Sequence, residues 1–332
     1  MTLNKDWFPT AVPSKPSGHY VHIIMLRETT SYAVFQTDGE LNTARVSKGL
    51  EDREMMTRLI MFKRKQTTPE RLSGRELLRR YKFLSDQPYD KKAKKEQDKN
   101  GQMICDYNEY FCKTCPDCIT YGFAIGDSGS EKSKVISDTA YSLTDYAQSH
   151  EAFTLNAPYE SGTMSREGET TSRINEQDHV KPQVLFPSVM TVRDVTASLF
   201  DYVLNNVIRT RHYGAQTTRT GTIENHIVAI VLTDGEIFSN LKFAQALWDT
   251  LADQLDPPNP VDTAVAKQAA VKLIPELLSQ DGVTVDSLLI GTELEQFLTA
   301  FREQLSSQES MKTLLESAFV DSNVYYNTYI KK

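Results

Sequence analysis

Short runs and alternations of apolar residues mark the first two thirds of the chain, and apolar residues at helical spacing mark the last third. His19–Arg27 (HYVHIIMLR) is rich in β-branched and aromatic residues and predicts a first strand. Tyr32–Gln36 follows the Glu28–Ser31 turn and predicts a hairpin partner, with Asp38-Gly39 as the next turn. Residues 40–72 are polar and basic around one short apolar centre, Leu59-Ile60-Met61-Phe62. In ERLSGRELLRRYKFL (70–84), Leu77, Leu78 and Tyr81 face a core, and Ser73 and Glu76 match the S-x-x-E capping box, which puts a helix start at Ser73. Lys132–Ala140 and Val184–Val192 are strand-like. Thr196–Thr210 carries Leu199, Val203, Leu204 and Val207 at helical spacing, and His226–Leu232 is a strand. From Ser239 onward Leu241, Ala244, Leu247, Trp248, Leu251 and Leu255 share one helical face, which Pro257, Pro258 and Pro260 break. Helical periodicity then continues over 263–279, 291–306 and 308–319.

Before that helical tail the order is strand, helix, strand, strand, helix, strand. This is the plan of an α+β fold with a modified RRM or ferredoxin-like core. The core spans 1–238, with a cysteine-bearing insertion at 85–120 and a polar insertion at 150–186, and 239–332 packs on it as a helical region. Residues 1–18, with Pro9, Pro13, Pro16 and Gly18, predict an extended arm. The aromatic signature with which an RRM stacks bases is absent, so a nucleic acid would have to be held by its backbone.

Composition changes this picture in two places. The net charge is −7, yet residues 45–99 hold 17 Lys and Arg against 9 Asp and Glu. A basic region on an acidic body points to a local polyanion surface, although KKAKKEQDK (91–99) also reads as a solvated loop. All four cysteines, Cys105, Cys112, Cys115 and Cys118, fall within 14 residues in the pattern C-x6-C-x2-C-x2-C. Without an apolar secretory leader they belong in a reducing cytoplasm, where clustered thiols serve as metal ligands more readily than as disulfides. Four thiolates make a closed tetrahedral site suited to structural Zn2+. An iron–sulfur cluster and four free thiols are the competing readings. No apolar run is long enough to span a membrane.

The candidate phosphate ligands follow from charge and backbone. Lys63, Arg64, Lys65 and Arg71 precede or begin the first helix, and Ser73, Arg75, Arg79 and Arg80 lie along it. Lys132 and Lys134 open the next strand. Arg209, Arg211, His212 and Arg219 bracket YGAQTTRTGT (213–222), whose Gly214 and Gly221 would let the backbone approach a ligand. His22 in the first strand reads as packed, not catalytic.

CPDCITYGFA (115–124) followed by SKVISDTA (133–140) resembles the backbone subunits of CRISPR complexes in the RAMP superfamily. SGRELLRR (73–80) resembles their guide-contacting helix, though it lacks the full Pro-Gly-Ser-Ser-Leu-Lys form, and 213–222 sits where they carry a glycine-rich loop. With NAPYESGTM (156–164) and the helical tail, residues 18–245 are most similar to the backbone subunit of the type I-D Cascade complex. The resemblance implies a modified RRM core with zinc-knuckle and thumb insertions and a helical C-terminal part. It implies copies of the chain lined along one CRISPR RNA, bound without reading its sequence, beside other subunits and with target DNA or RNA pairing to the guide. The thumb is expected within 154–186, pressing on the guide at intervals. Such a protein is no enzyme.

Two other classes compete. Related type III subunits cut RNA with an aspartate after the first strand. Asp38 and Asp52 lie in that region, but neither is in a matching motif. The remaining class is a zinc-ribbon protein that docks other proteins only. No Walker loop, H-E-x-x-H or serine–histidine–acid arrangement is present.

Overall fold

The structure is a computed structural model that describes residues 3, 5–124, 129–155, 160, 165–166, 169–170, 175–252 and 261–331. The chain begins with β1 (Tyr20–Thr29), then β2 (Thr43–Ser47), β3 (Met55–Met61), α1 (Lys63–Arg80), α2 (Pro116–Tyr121), β4 (Val135–Ser137) and β5 (Ala140–Asp145). The stem of the polar insertion follows as β6 (His150–Leu155) and β7 (Asn175–Val180), and β8 (Leu185–Arg193), α3 (Ala197–Arg209) and β9 (Ile223–Thr233) complete the core. The C-terminal part is α4 (Asn240–Leu251), α5 (Thr263–Gln280), β10 (Val285–Ile290), α6 (Gly291–Gln304) and α7 (Gln308–Tyr325). No helix among the described residues is long and apolar enough to cross a membrane.

The main sheet is antiparallel in the order β10-β9-β1-β8-β4. Without β10, this places the last core strand beside the first and the third beside the second, the ferredoxin-like arrangement expected from the element order. Successive residues of β1 point to opposite faces. Ile23 and Met25 join α1, α3, α6 and α7 in one apolar cluster, and Ile24 and Leu26 join α4 and α5 in another. The face on which RRM proteins lay RNA is therefore covered by Phe243, Leu247, Leu251, Ile274, Leu277 and Leu278. Burying each such side chain stabilises by about 1.5–3 kcal/mol, so these helices form a fixed layer.

Several elements differ from the sequence expectations. The C-terminal part is not purely helical: Val285–Ile290 pairs with Ala229–Thr233 and extends the sheet. The polar stretch before the first helix contains β2 and β3, which join β5 in a second sheet. Tyr32–Gln36 does not pair with β1, whose two edges are taken by β8 and β9. The 132–140 strand is shorter than expected, because the chain leaves the main sheet after Ser137 for the second sheet at Ala140.

The first helix starts ten residues before Ser73, directly after Phe62, with no side-chain cap, and contains Pro69. Ser73 is thus mid-helix. Gly74 explains the local sequence, since a Cβ there would lie 2.4 Å from both Tyr202 Oη and Asn206 Nδ2 of α3. The two helices cross closely only because that position has no side chain. The later elements follow their capping residues: Thr196 Oγ1 accepts from Leu199 N–H and Ser239 Oγ from Lys242 N–H. His22 is packed, as read: Thr191 and Thr233 hydroxyls flank its ring nitrogens at 2.8 Å. Burial pushes its imidazole down to about 4.

A buried polar cluster ties β1, α1 and the 211–222 loop together. Arg27 Nη2 lies 2.9 Å from Glu70 Oε1, and both side chains are fully buried. Tyr213 Oη donates to Glu70 (3.2 Å), and Arg27 Nη1 donates to Asn225 Oδ1 (2.9 Å). Burial raises the Glu70 carboxyl, and Arg27 and Tyr213 pull it back. Glu70→Ala leaves Arg27 charged and unpaired, so unfolding in urea should show a loss of about 3–5 kcal/mol. The double change Arg27→Met with Glu70→Leu should recover much of that loss, because no isolated charge remains.

Candidate nucleic-acid groove and cysteine knuckle

Residues four apart on a helix share a face, and α1 uses three faces for three purposes. Gln66, Glu70 and Gly74 are buried toward the core. Arg71, Arg75 and Arg79 turn toward the cysteines. Arg64, Thr68, Leu72 and Glu76 border an open groove, together with Lys65, Pro69 and Ser73.

The groove encloses about 740 Å³. Its opposite wall is the end of α3 and the loop after it: Arg209, Thr210, Arg211, His212, Gly214 and Thr217. Candidate ligands Arg64, Lys65 and Ser73 thus meet Arg209, Arg211, His212 and Gly214 in one groove. Among the described residues, Arg64, Lys65, Arg209 and Arg211 form no ion pair, and Glu76 is the acidic side chain on the lining. At the foot of α1, Lys63, Arg64 and Lys65 occupy the first turn with no acidic residue. Cations at the positive end of a helix are unfavourable unless an anion joins them. Lys63 itself donates to Val135 O (3.3 Å), and burial, with Arg71 nearby, lowers its ammonium.

The glycines of the loop have a different role from the one expected. Gly214 (φ +87°) has a position for Cβ 2.5 Å from Val34 O, and Gly221 (φ +92°) has one 2.3 Å from Tyr213 O. Both seat the loop against its own protein: Ala215 N–H donates to Val34 O and Gly221 N–H to Tyr32 O. Arg219 is exposed on the turn between them.

Three of the expected phosphate ligands are turned away from the groove. Arg75 is fully buried; its Nη1 donates to Asp117 Oδ2 and its Nη2 to Cys105 Sγ (3.1 Å). Arg71 makes a two-pronged pair with Asp117 (3.1 and 2.8 Å) and donates to Gly122 O. Arg79 donates to Cys105 O (3.1 Å). Burial opposes the Arg75 charge, but Asp117 and the thiols outweigh it and hold the guanidinium above its ordinary range. The physical reason is spacing: Arg71, Arg75 and Arg79 repeat every four residues along the stripe that faces the knuckle. Lys134 is engaged too, with Glu131 at 2.8 Å and its ammonium over the Tyr325 ring. Arg80 and Lys132 do not line the groove.

All four cysteines are buried, and their Sγ atoms lie within 4.8 Å of one another. Cys105 Sγ is 3.9 Å from Cys115 Sγ and 3.6 Å from Cys118 Sγ. Four thiolates about 2.3 Å from a central ion would be about 3.8 Å apart, so this donor set fits a tetrahedral metal. Cys105 and Cys112 bound a turn closed by the Asp106–Tyr110 backbone pair. Its tip, Tyr107-Asn108, forms part of the groove wall. Sequence reasoning missed these two residues, although an aromatic in the middle of a ligand-to-ligand loop was a visible signal.

The polar insertion has an ordered base. Tyr32 packs edge-on against Phe153 (4.7 Å), and its hydroxyl donates to Glu151. Residues 156–159, 161–164, 167–168 and 171–174 of the expected thumb lie outside the described residues. Asp38 sits at φ +56° in the turn before Gly39, and Asp52 accepts from Glu54 N–H in the β2–β3 loop, so both have local turn roles.

Comparison with known proteins agrees with this architecture. The crystal structure of Thermofilum pendens Csc2 is similar over 98% of this chain and 96% of that one, with TM-score 0.57 at 14% identity. Chains described as a CRISPR RNA-guided surveillance complex (TM-score 0.48, 13% identity, 91% of this chain and 98% of that) and the same complex before nicking (0.47, 13%, 80% and 89%) are more distant. No protein of curated function matches the sequence. The family described as Csc2 Crispr matches residues 7–315, nearly the whole sequence, and the chain belongs to it.

Proposed function

We propose that this protein is a non-catalytic backbone subunit of a type I-D CRISPR interference complex that holds guide RNA by its phosphates. The observation that carries this is the groove lined by Arg64 and Lys65 of α1 together with Arg209 and Arg211 from the end of α3 and the loop after it. Membership of the Csc2 family supplies the CRISPR context. Phosphate contacts made by such side chains fix position without reading bases. Copies of the chain would continue the groove from one to the next, beside other subunits, leaving the guide's bases open to target DNA. The insertion at 150–186 is suited to act as the thumb between neighbouring copies, because its paired stem strands β6 and β7 are braced at Tyr32.

Zinc is the ion we assign to the cysteine knuckle. Four sulfur ligands in a closed, buried set suit Zn2+ and leave no position for a reacting group, so the ion's part is structural. The ion would stabilise the layer that receives Arg71, Arg75 and Arg79. Elemental analysis of the purified protein should give one zinc per chain, and Cys115→Ser should lower that content and the thermal midpoint together.

The RNA reading is tested by salt titration. For single-stranded RNA, log K falls with log[salt] at about 0.7 per phosphate contact. Arg209→Ala and Arg211→Ala should each weaken binding of every sequence alike and flatten the slope by about that amount. Unchanged slopes in both would reject this groove as the guide path.

A further inference from the structure

The groove has a second chemical character that phosphate binding does not use. Beside its cations lies an apolar strip made by Pro69, Leu72 and Tyr107, with Leu72 36% exposed. Phosphates gain nothing from such a surface. Bases do, because every base has a flat apolar face, and proteins that hold single strands commonly set an aromatic ring beside cationic side chains.

Tyr107 is built for that place by three independent restraints. The Arg71 guanidinium lies 4.8 Å from its ring centroid, and Arg71 is itself fixed by its two-pronged pair with Asp117. The Tyr107 hydroxyl is 3.4 Å from Thr68 Oγ1 on α1. The turn that carries it runs between two cysteines of the knuckle, with Asp106 and Tyr110 exchanging backbone bonds (2.7 and 2.9 Å) and Asn108 at φ +63°. The ring remains half-buried at the groove. A ring already held in place loses little freedom when a ligand stacks on it.

We infer that Tyr107 is a base-stacking residue of the groove, and that the six-residue spacing between the first two cysteines serves to deliver it there. The inference rests on the groove being the guide path. It adds a base contact that is indifferent to base identity, since stacking tolerates all four bases. Tyr107 then holds a base at a set distance from the phosphates on Arg209 and Arg211.

The test uses the full chain with its metal and short single-stranded RNA, measured by fluorescence anisotropy at several salt concentrations. Tyr107→Ala should weaken binding roughly tenfold, the order of one lost stack, with an unchanged salt slope. Tyr107→Phe should bind like the wild type. Tyr107→Leu keeps apolar bulk against Arg71 and Thr68 but has no π face, so it should also bind more weakly, and it serves where the alanine variant is unstable. On an oligonucleotide with abasic positions throughout, wild type and Tyr107→Ala should bind alike. Binding by Tyr107→Ala and Tyr107→Leu within twofold of wild type, with Arg211→Ala weakened, overturns the stacking role and leaves the guide groove intact. A difference between wild type and Tyr107→Ala that persists on abasic RNA also overturns it. Loss of effect in the Arg211 and Tyr107 variants together would remove the groove reading itself.

Discussion

The pair between Arg27 and Glu70 holds the groove's two walls in one frame. Arg27 comes from the central strand, Glu70 from the helix that forms one wall, and Tyr213 from the loop that forms the other. A buried ion pair adds little net stability over an apolar replacement, because both charges are taken out of water. Its use here is geometric. The carboxylate accepts from the tyrosine while facing the arginine, so helix, strand and loop are tied together by one shared polar group. The separation of Arg64 and Lys65 from Arg209 and Arg211 is fixed by that arrangement.

A second lock acts on the other side of the same helix. Asp117, in the short helix that carries Cys118, receives both Arg71 and Arg75, and Arg75 also reaches Cys105. Thiolates gathered around an ion carry negative charge, and the arginines offset it. The knuckle is therefore electrostatically continuous with α1. One helix thus joins the sheet through Glu70, the cysteine knuckle through Arg71 and Arg75, and the groove through Arg64 and Leu72.

The sequence made the core topology legible because its strands and helices are amphipathic in the ordinary periods, and Thr196 and Ser239 cap the helices that follow them. It hid β2 and β10, which are short and largely exposed or half-buried, and β3, whose buried Leu59-Ile60-Met61 sits in a stretch that reads as polar and basic chain. It also misplaced the start of α1, where the capping box is accidental and the true start has no side-chain cap. The neighbourhood was legible only in part: of residues 73–80 just Ser73 and Glu76 line the groove beside 209–217, and its α1 cations, Arg64 and Lys65, come from the helix start. The assignment of individual arginines was not legible. Charge alone cannot distinguish Arg64, which faces the groove, from Arg75, which is buried on Asp117, since the partner lies 42 positions later in sequence. The glycines were recognised as necessary, but their necessity is protein against protein, at Val34 and Tyr213.

The covering of the sheet by α4 and α5 bears on where the proposed binding groove lies. An RRM exposes the sheet and reads bases there with aromatics. Here residues such as Leu26, Val189 and Val231 on that face are consumed by packing against Phe243 and Leu247. A groove bounded by α1, the end of α3 and the knuckle turn is left open away from that face. Its lining sets the cations Arg64, Lys65, Arg209 and Arg211 among hydroxyls and the apolar surface of Pro69, Leu72 and Tyr107. Discrimination among bases needs buried polar groups that the wrong base would leave unpaired. Cations that meet phosphates carry no such penalty, so on the proposed reading a groove placed off the sheet would hold a strand without reading its bases.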